Sequence, residues 1–294
     1  MFFDRSGLSI VGRDYYGVFP LKGKPLNVRD ASTKQVLANE ELKNVVDIIG
    51  LKYQTEYNET NIKTLRYGHI MIMADQDHDG SHIKGLIINF IHFFWPSLLE
   101  IPGFLKCFIT PIVKCTHKRK KKDILTFFNL PEYENWRSST SVANYNIKYY
   151  KGLGTSTSAE AKEYFSNLDT HEVHFSKLSS DSKDQLDLSM FSHDDEEDVN
   201  MLSTMSGGEL IEMAFSKKKV EERKTWLNAY RENTFLSYDV DSIRFSNFVN
   251  KELILFSRAD NIRSIPNVFD GFKPSQRKVL FGCFKKNLKV SKPN

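Results

Sequence analysis

The sequence has 294 residues, 40% apolar and 27% charged, with 41 basic residues against 37 acidic and a formal charge of +4. That length suits one large or two ordinary domains with a buried core. The three cysteines, Cys107, Cys115 and Cys283, form no paired motif, which excludes a disulfide framework and a Cys-rich zinc module and fits a reducing, intracellular compartment.

The start, Met1-Phe2-Phe3-Asp4, has no basic region before an apolar core, so no signal peptide is read. Tyr15 to Leu21, ending after Pro20, is a strand candidate. His69 to Ala74 is a continuous apolar run, as expected of a strand covered on both faces. From Ser81 to Leu99, Ile83, Leu86, Ile87, Phe90, Ile91 and Phe94 recur at helical spacing. Asn89, His92 and Pro96 interrupt that stretch, which predicts a buried helix and no membrane span.

Cys107 to Val113 and Ile124 to Leu130 are apolar runs around the basic stretch His117-Lys118-Arg119-Lys120-Lys121-Lys122, the layout of two strands with a solvated hairpin tip. Asn146 to Tyr150 is a further strand. Thr157 with Glu160 is a capping-box pattern, and Ala161, Tyr164, Phe165 and Leu168 continue a helix behind it. Residues 176–208 are acidic and Ser-rich, with Asp194-Asp195-Glu196-Glu197-Asp198 followed by Gly207-Gly208, and read as a partly disordered insertion at a domain boundary. Helices are expected at Val220 to Arg231, Phe245 to Phe256 and Pro274 to Lys286. The fold class is therefore α/β, a partly parallel sheet with flanking helices, followed by a mainly helical region.

The main chemical signal is Asp75-Gln76-Asp77-His78-Asp79-Gly80, directly after the buried strand. In an extended chain, residues two apart point the same way, so Asp75, Asp77 and Asp79 should converge at a strand's carboxyl end. Oxygen-only ligands favour Mg²⁺ or a similar hard cation. An EF-hand is excluded because Leu86 stands where the loop needs Glu. An Asp-rich helix cap accounts for one of the acids but not for three.

Lys22-Gly23-Lys24, with Asn27 and Arg29 beyond, and Lys151-Gly152-Leu153-Gly154-Thr155-Ser156 are turns that set glycine beside a cation. Taken alone each reads as a tight turn with a surface lysine and neither is a Walker loop; beside the acidic cluster they suit a phosphodiester. Lys273, Gln276, Arg277 and Lys278 open the last helix, whose other side carries Val279, Leu280, Cys283 and Phe284 as a packing face. His82 and His92 are read as structural or solvent-facing. Tyr149 and Tyr150 are read as core aromatics rather than nucleophiles.

Longer motifs carry a resemblance. Gly12-Arg13-Asp14, Tyr16 to Leu21, Gly23-Lys24, Leu26 to Arg29, Thr64 to Gly68, Asp75 to Gly85, Phe108 to Lys114, Lys148 to Ser158, Asn250 to Ser257, Arg263 to Pro266 and Asp270 to Leu280 resemble eukaryotic DNA topoisomerase II over nearly the whole chain outside 176–208. The resemblance implies a TOPRIM-like metal-binding domain over 1–175, shortened at its start, the insertion over 176–208, and a helical linker with the start of a winged-helix DNA-binding domain over 209–294.

It further implies an ATP-dependent, nuclear isomerase that acts as a homodimer. Such an enzyme breaks duplex DNA transiently, passes a second duplex through the gap and reseals the break. Mg²⁺ would be held by Asp75 and Asp77 with Asp79 as accessory acid, and Mn²⁺ or Ca²⁺ would be substitutes. Duplex DNA would meet Lys24, Asn27, Arg29, Lys151, Lys273, Gln276, Arg277 and Lys278. The family's early Glu, its ATPase domain and its nucleophilic Tyr have no counterpart in these residues. The expectation is therefore a fragment with no catalytic tyrosine, inactive alone, and the alternative is a regulatory DNA-binding fragment without cleavage chemistry.

Overall fold

The structure, a computed structural model, describes residues 2–181 and 202–289. It opens with α1 (Phe2–Val11), then α2 (Thr33–Ala38) and α3 (Glu40–Ile49), the latter two capped by Ser32 and Asn39 side chains. Next come β1 (Ile70–Met73), α4 (His78–Phe94) and β2 (Leu105–Phe108). These form a βαβ unit, with β1 parallel to β2 and Ile70 opposite Leu105. Asp77 caps α4, and the helix ends at Trp95 ahead of Pro96.

A second layer holds β3 (Val113–His117), β4 (Ile124–Phe127), α5 (Leu130–Ser139) and β5 (Tyr145–Tyr149), with strand order β4-β3-β5. The chain continues through α6 (Ser158–Ser166), α7 (Leu168–His171) and β6 (Glu172–Phe175). It then runs through α8 (Gly207–Phe215), α9 (Val220–Asn228), β7 (Ser242–Ile243) and α10 (Phe245–Phe248). A π turn (Val249–Leu253) leads into α11 (Ile254–Ser264), and α12 (Pro274–Lys285) follows. The main sheet, β1-β2-β6-β7, is mixed: both outer pairs are parallel and β2 runs antiparallel to β6. The α/β class with a partly parallel sheet is as expected.

The main core joins α4 (Leu86, Phe90, Ile91), α8 (Leu210, Phe215) and the helices after β7 (Phe248, Leu253, Phe256). It therefore spans both sides of the 176–208 segment. The acidic run lies outside the described residues, but the flanks are packed. Leu202 is fully buried, and the buried Asp181 accepts from the Ser246 backbone N–H at 2.7 Å.

Several expectations change. Tyr15 to Leu21 is no strand. It runs as an unpaired loop with Tyr15 83% exposed, because no neighbouring strand takes its backbone groups. The apolar run from Cys107 is split between the two sheets by Ile109 to Ile112, which contain Pro111. The helix expected from Val220 stops at Asn228, and that expected from Phe245 continues to Ser264. The face of α12 expected to pack is open, with Val279 66% and Phe284 74% exposed. The basic stretch does form the β3–β4 tip, with Lys118 to Lys122 exposed. The Thr157–Glu160 capping box is present, and Ala161, Tyr164 and Phe165 are buried behind it.

Candidate functional site

Asp75 leaves the carboxyl end of β1 and turns toward the loop at Gly152. Its Oδ1 accepts the Leu153 backbone N–H at 2.7 Å. A Cβ on Gly152 would stand 2.6 Å from that carboxylate, so glycine permits the approach. Gly80 is equally constrained, because a Cβ there would lie 1.9 Å from the Asp75 carbonyl oxygen. Asp77 Oδ1 accepts the Gly80 N–H at 2.7 Å and caps α4.

Asp79 points elsewhere. Its carboxylate accepts two bonds from Arg263, at 2.8 and 2.6 Å, and pairs with Lys24 at 2.7 Å. The hydrogen bonds from Arg263 and Lys24 hold its carboxyl well below the usual range. The expected convergence of three acids is thereby corrected. Among the described residues no group of three metal-ligating side chains is assembled. The alternation argument needs extended chain through residue 79, but the helix begins at His78. Two helical residues span about 200° of rotation, which turns Asp79 away from Asp77.

Asn27 and Arg29 both turn inward. Asn27 Nδ2 donates to the Phe215 carbonyl at 2.8 Å, and its Oδ1 accepts from Asn89 at 3.1 Å. Arg29 Nε donates to Asn89 Oδ1 at 2.6 Å, and its terminal nitrogen donates to His92 Nδ1 at 2.6 Å. Asn27 Nδ2 also donates to Asp30 at 3.3 Å, and the Arg29 side chain is only 10% exposed. Lys151 is exposed beside the Asp75 loop. On α12, Gln276 Oε1 accepts the Lys273 N–H at 2.8 Å, Arg277 forms a fork with Asp270, and Lys278 is exposed.

The histidines are structural. His82 stacks on Phe256 with centroids 3.8 Å apart, and burial pushes it down to about 4. Burial, and then the Arg29 charge, push His92 down to about 4 from 6.5. The unfolded chain therefore binds the extra proton between those values, and the stability that neutral His92 contributes is lost as pH falls from 6.5 through 4. The urea midpoint should drop from pH 7.5 to pH 5, and drop less in His92→Gln. Equal drops in the two proteins would contradict the pairing.

Tyr150 is buried and donates to Glu160 Oε1 at 2.6 Å. Burial and that carboxylate raise its hydroxyl far above the ordinary value, so it is a poor nucleophile. Tyr149 is 54% exposed, not a core residue, and shares a hydrogen bond with Tyr133 at 2.8 Å. Two site features escaped the sequence reading. One is Arg263. The other is the buried pair of Lys84 with Glu252 (2.8 Å) beneath the acidic loop. A lysine within the apolar stripe of α4 was the available signal for the second.

Comparison with known proteins gives a consistent answer. The Toprim domain family matches residues 5–110, and the C-terminal associated domain of TOPRIM matches 108–205 and 189–261. The DNA gyrase/topoisomerase IV family matches residues 263–294. DNA topoisomerase 2 of Candida glabrata is 54% identical over 98% of this chain and 19% of its own length. That of Saccharomyces cerevisiae is 53% identical over 97% of this chain and 18% of its own. The chain belongs to the eukaryotic DNA topoisomerase II family. It resembles the crystal structure of the Plasmodium falciparum topoisomerase II DNA-binding, cleavage and re-ligation domain, with a TM-score of 0.78 and 49% identity over 98% of this chain and 35% of that one. The chain spans about a fifth of the length of the curated relatives it matches.

A topoisomerase II of the TOPRIM type implies Mg²⁺, and the donor set fits a water-rich site. Asp75 and Asp77 each commit Oδ1 to a backbone N–H, and among the described residues no hydrogen bond reaches either Oδ2. Mg²⁺ is commonly held by one or two carboxylates plus waters and phosphate oxygens.

Proposed function

We propose that this chain supplies the Mg²⁺-holding carboxylates and part of the duplex-binding surface of a type II DNA topoisomerase. That enzyme changes DNA topology by transient double-strand breakage, strand passage and religation. The observation that carries the reading is the acidic loop at the end of β1, walled by the Gly152 turn on one side and by Lys24 and Arg263 on the other. Asp75 and Asp77 would hold the metal, which would polarise a phosphodiester oxygen when bound. Asp79 orients cations. Lys24, Lys151, Lys273, Gln276, Arg277 and Lys278 would meet backbone phosphates.

Residues 1–175 would act as the TOPRIM-like part and 209–294 as the helical linker and winged-helix start. Nuclear location, a homodimer and ATP coupling follow from the family reading. A polypeptide of these residues alone should bind duplex DNA without cleaving it, since none of its residues matches the family's nucleophilic tyrosine.

The duplex reading is tested by fluorescence anisotropy over a salt series. With about four phosphate contacts, log affinity should fall with log salt at a slope near −3 to −4, without sequence preference. Affinity that stays flat with salt, or no binding at low salt, would contradict it.

A further inference from the structure

Lys24 and Arg263 come from chain segments far apart in sequence, yet both bond one carboxylate oxygen, Asp79 Oδ1, at 2.7 and 2.6 Å. Both also sit over the Phe256 ring, Lys24 at 4.6 Å and Arg263 at 5.7 Å from its centroid. Phe256 is buried and stacked on His82, so the platform is fixed. Arg263 Nε donates to Asp260 Oδ1 at 2.9 Å, which orients the guanidinium and leaves its two terminal nitrogens for Asp79. The arrangement is a preformed fork of two cations closed on a single anion.

We propose that this fork is a binding site for one backbone phosphate of duplex DNA, and that Asp79 holds it closed until the phosphate takes its place. The proposal rests on the duplex-binding reading above and deepens it by naming the contact and its internal competitor. A phosphate offers the fork what a carboxylate does, two oxygens for a guanidinium edge and one for an ammonium. Exchange is feasible because all three side chains are about two-fifths exposed, at 39% for Lys24, 42% for Asp79 and 44% for Arg263, and ion pairs exposed to that degree are weak. Asp79 is also free of the structural tasks given to its neighbours. Asp77 caps the helix and Asp75 holds the Gly152 loop, so releasing Asp79 leaves both in place. Closed, the two cations are offset by the carboxylates of Asp79 and Asp260. Open, it adds two cations beside the loop that carries Asp75 and Asp77.

Anisotropy of a labelled 20-base-pair duplex, in chelator so that no divalent cation contributes, separates the outcomes. Asp79→Asn should bind about fivefold tighter or better than the parent. Its salt slope should be steeper by about one. Glu221→Gln removes the same charge at an exposed surface pair on α9 and serves as control. In the double variants Asp79→Asn/Arg263→Gln and Asp79→Asn/Lys24→Gln the gain should vanish, while melting curves show each variant folded. An Asp79→Asn gain no larger than that of Glu221→Gln, or a gain that survives in either double variant, would overturn the fork while leaving duplex binding intact. No binding by any variant at low salt would overturn both readings.

Discussion

Lys84→Met is expected to lower the free energy of unfolding by about 3–5 kcal/mol, the usual cost of breaking a buried ion pair from one side. Lys84 is 1% exposed. Its ammonium has three donors and meets three acceptors, Glu252 Oε1 at 2.8 Å, the Tyr238 hydroxyl at 3.1 Å and Gln76 Oε1 at 3.2 Å. Glu252 also accepts from Ser81 Oγ at 2.9 Å and from the Tyr238 hydroxyl at 2.7 Å. Burial alone would lower the Lys84 ammonium, but Glu252 outweighs it and holds the group charged well above its ordinary value.

Methionine fills the volume and leaves Glu252 in the core without its cation. Lys84→Met/Glu252→Met should therefore be less destabilised than Lys84→Met alone, since both charges leave together. Denaturant unfolding measures both. A loss below about 1 kcal/mol for the single variant would show that the pair is hydrated and structurally idle. Because Gln76 stands between Asp75 and Asp77, the network also fixes the floor of the acidic loop.

The parts of the fold that could be read from sequence were those set by local rules. β1 followed from an apolar run next to a turn signal, α4 from its 3.6-residue face, and α6 from its capping box. The segment at Tyr15 was misread because a strand needs a partner, and pairing is a tertiary fact. The inward partners of Asn27 and Arg29 are likewise tertiary facts. Nothing local tells an exposed Arg from one whose donors are taken by Asn89 and His92, about 60 positions away. Asp79 was placed with the wrong neighbours because the helix starts one residue before it, which ended the strand-like alternation on which the convergence argument depended. Arg263 lay within a motif that was noticed, but its partner stands 184 positions earlier in the chain.

The second large effect concerns the metal. Asp75→Asn and Asp77→Asn should each weaken Mg²⁺ and Mn²⁺ binding by at least about tenfold, whereas Asp79→Asn should change it far less. The substitutions are gentle to the fold. Asn caps a helix as well as Asp, and an amide oxygen at position 75 can still accept the Leu153 N–H. An affinity loss is thus a loss of ligand charge and donor, with the loop kept in place.

The central claim is that Asp75 and Asp77 are the metal-holding pair of this topoisomerase II segment while Asp79 serves the cations. Isothermal titration of Mn²⁺ into the parent chain and the three single variants tests it most directly. The account predicts heat of binding in the parent and Asp79→Asn, with a strong loss in Asp75→Asn and Asp77→Asn. Identical curves for the parent and Asp77→Asn, or a loss confined to Asp79→Asn, would contradict it.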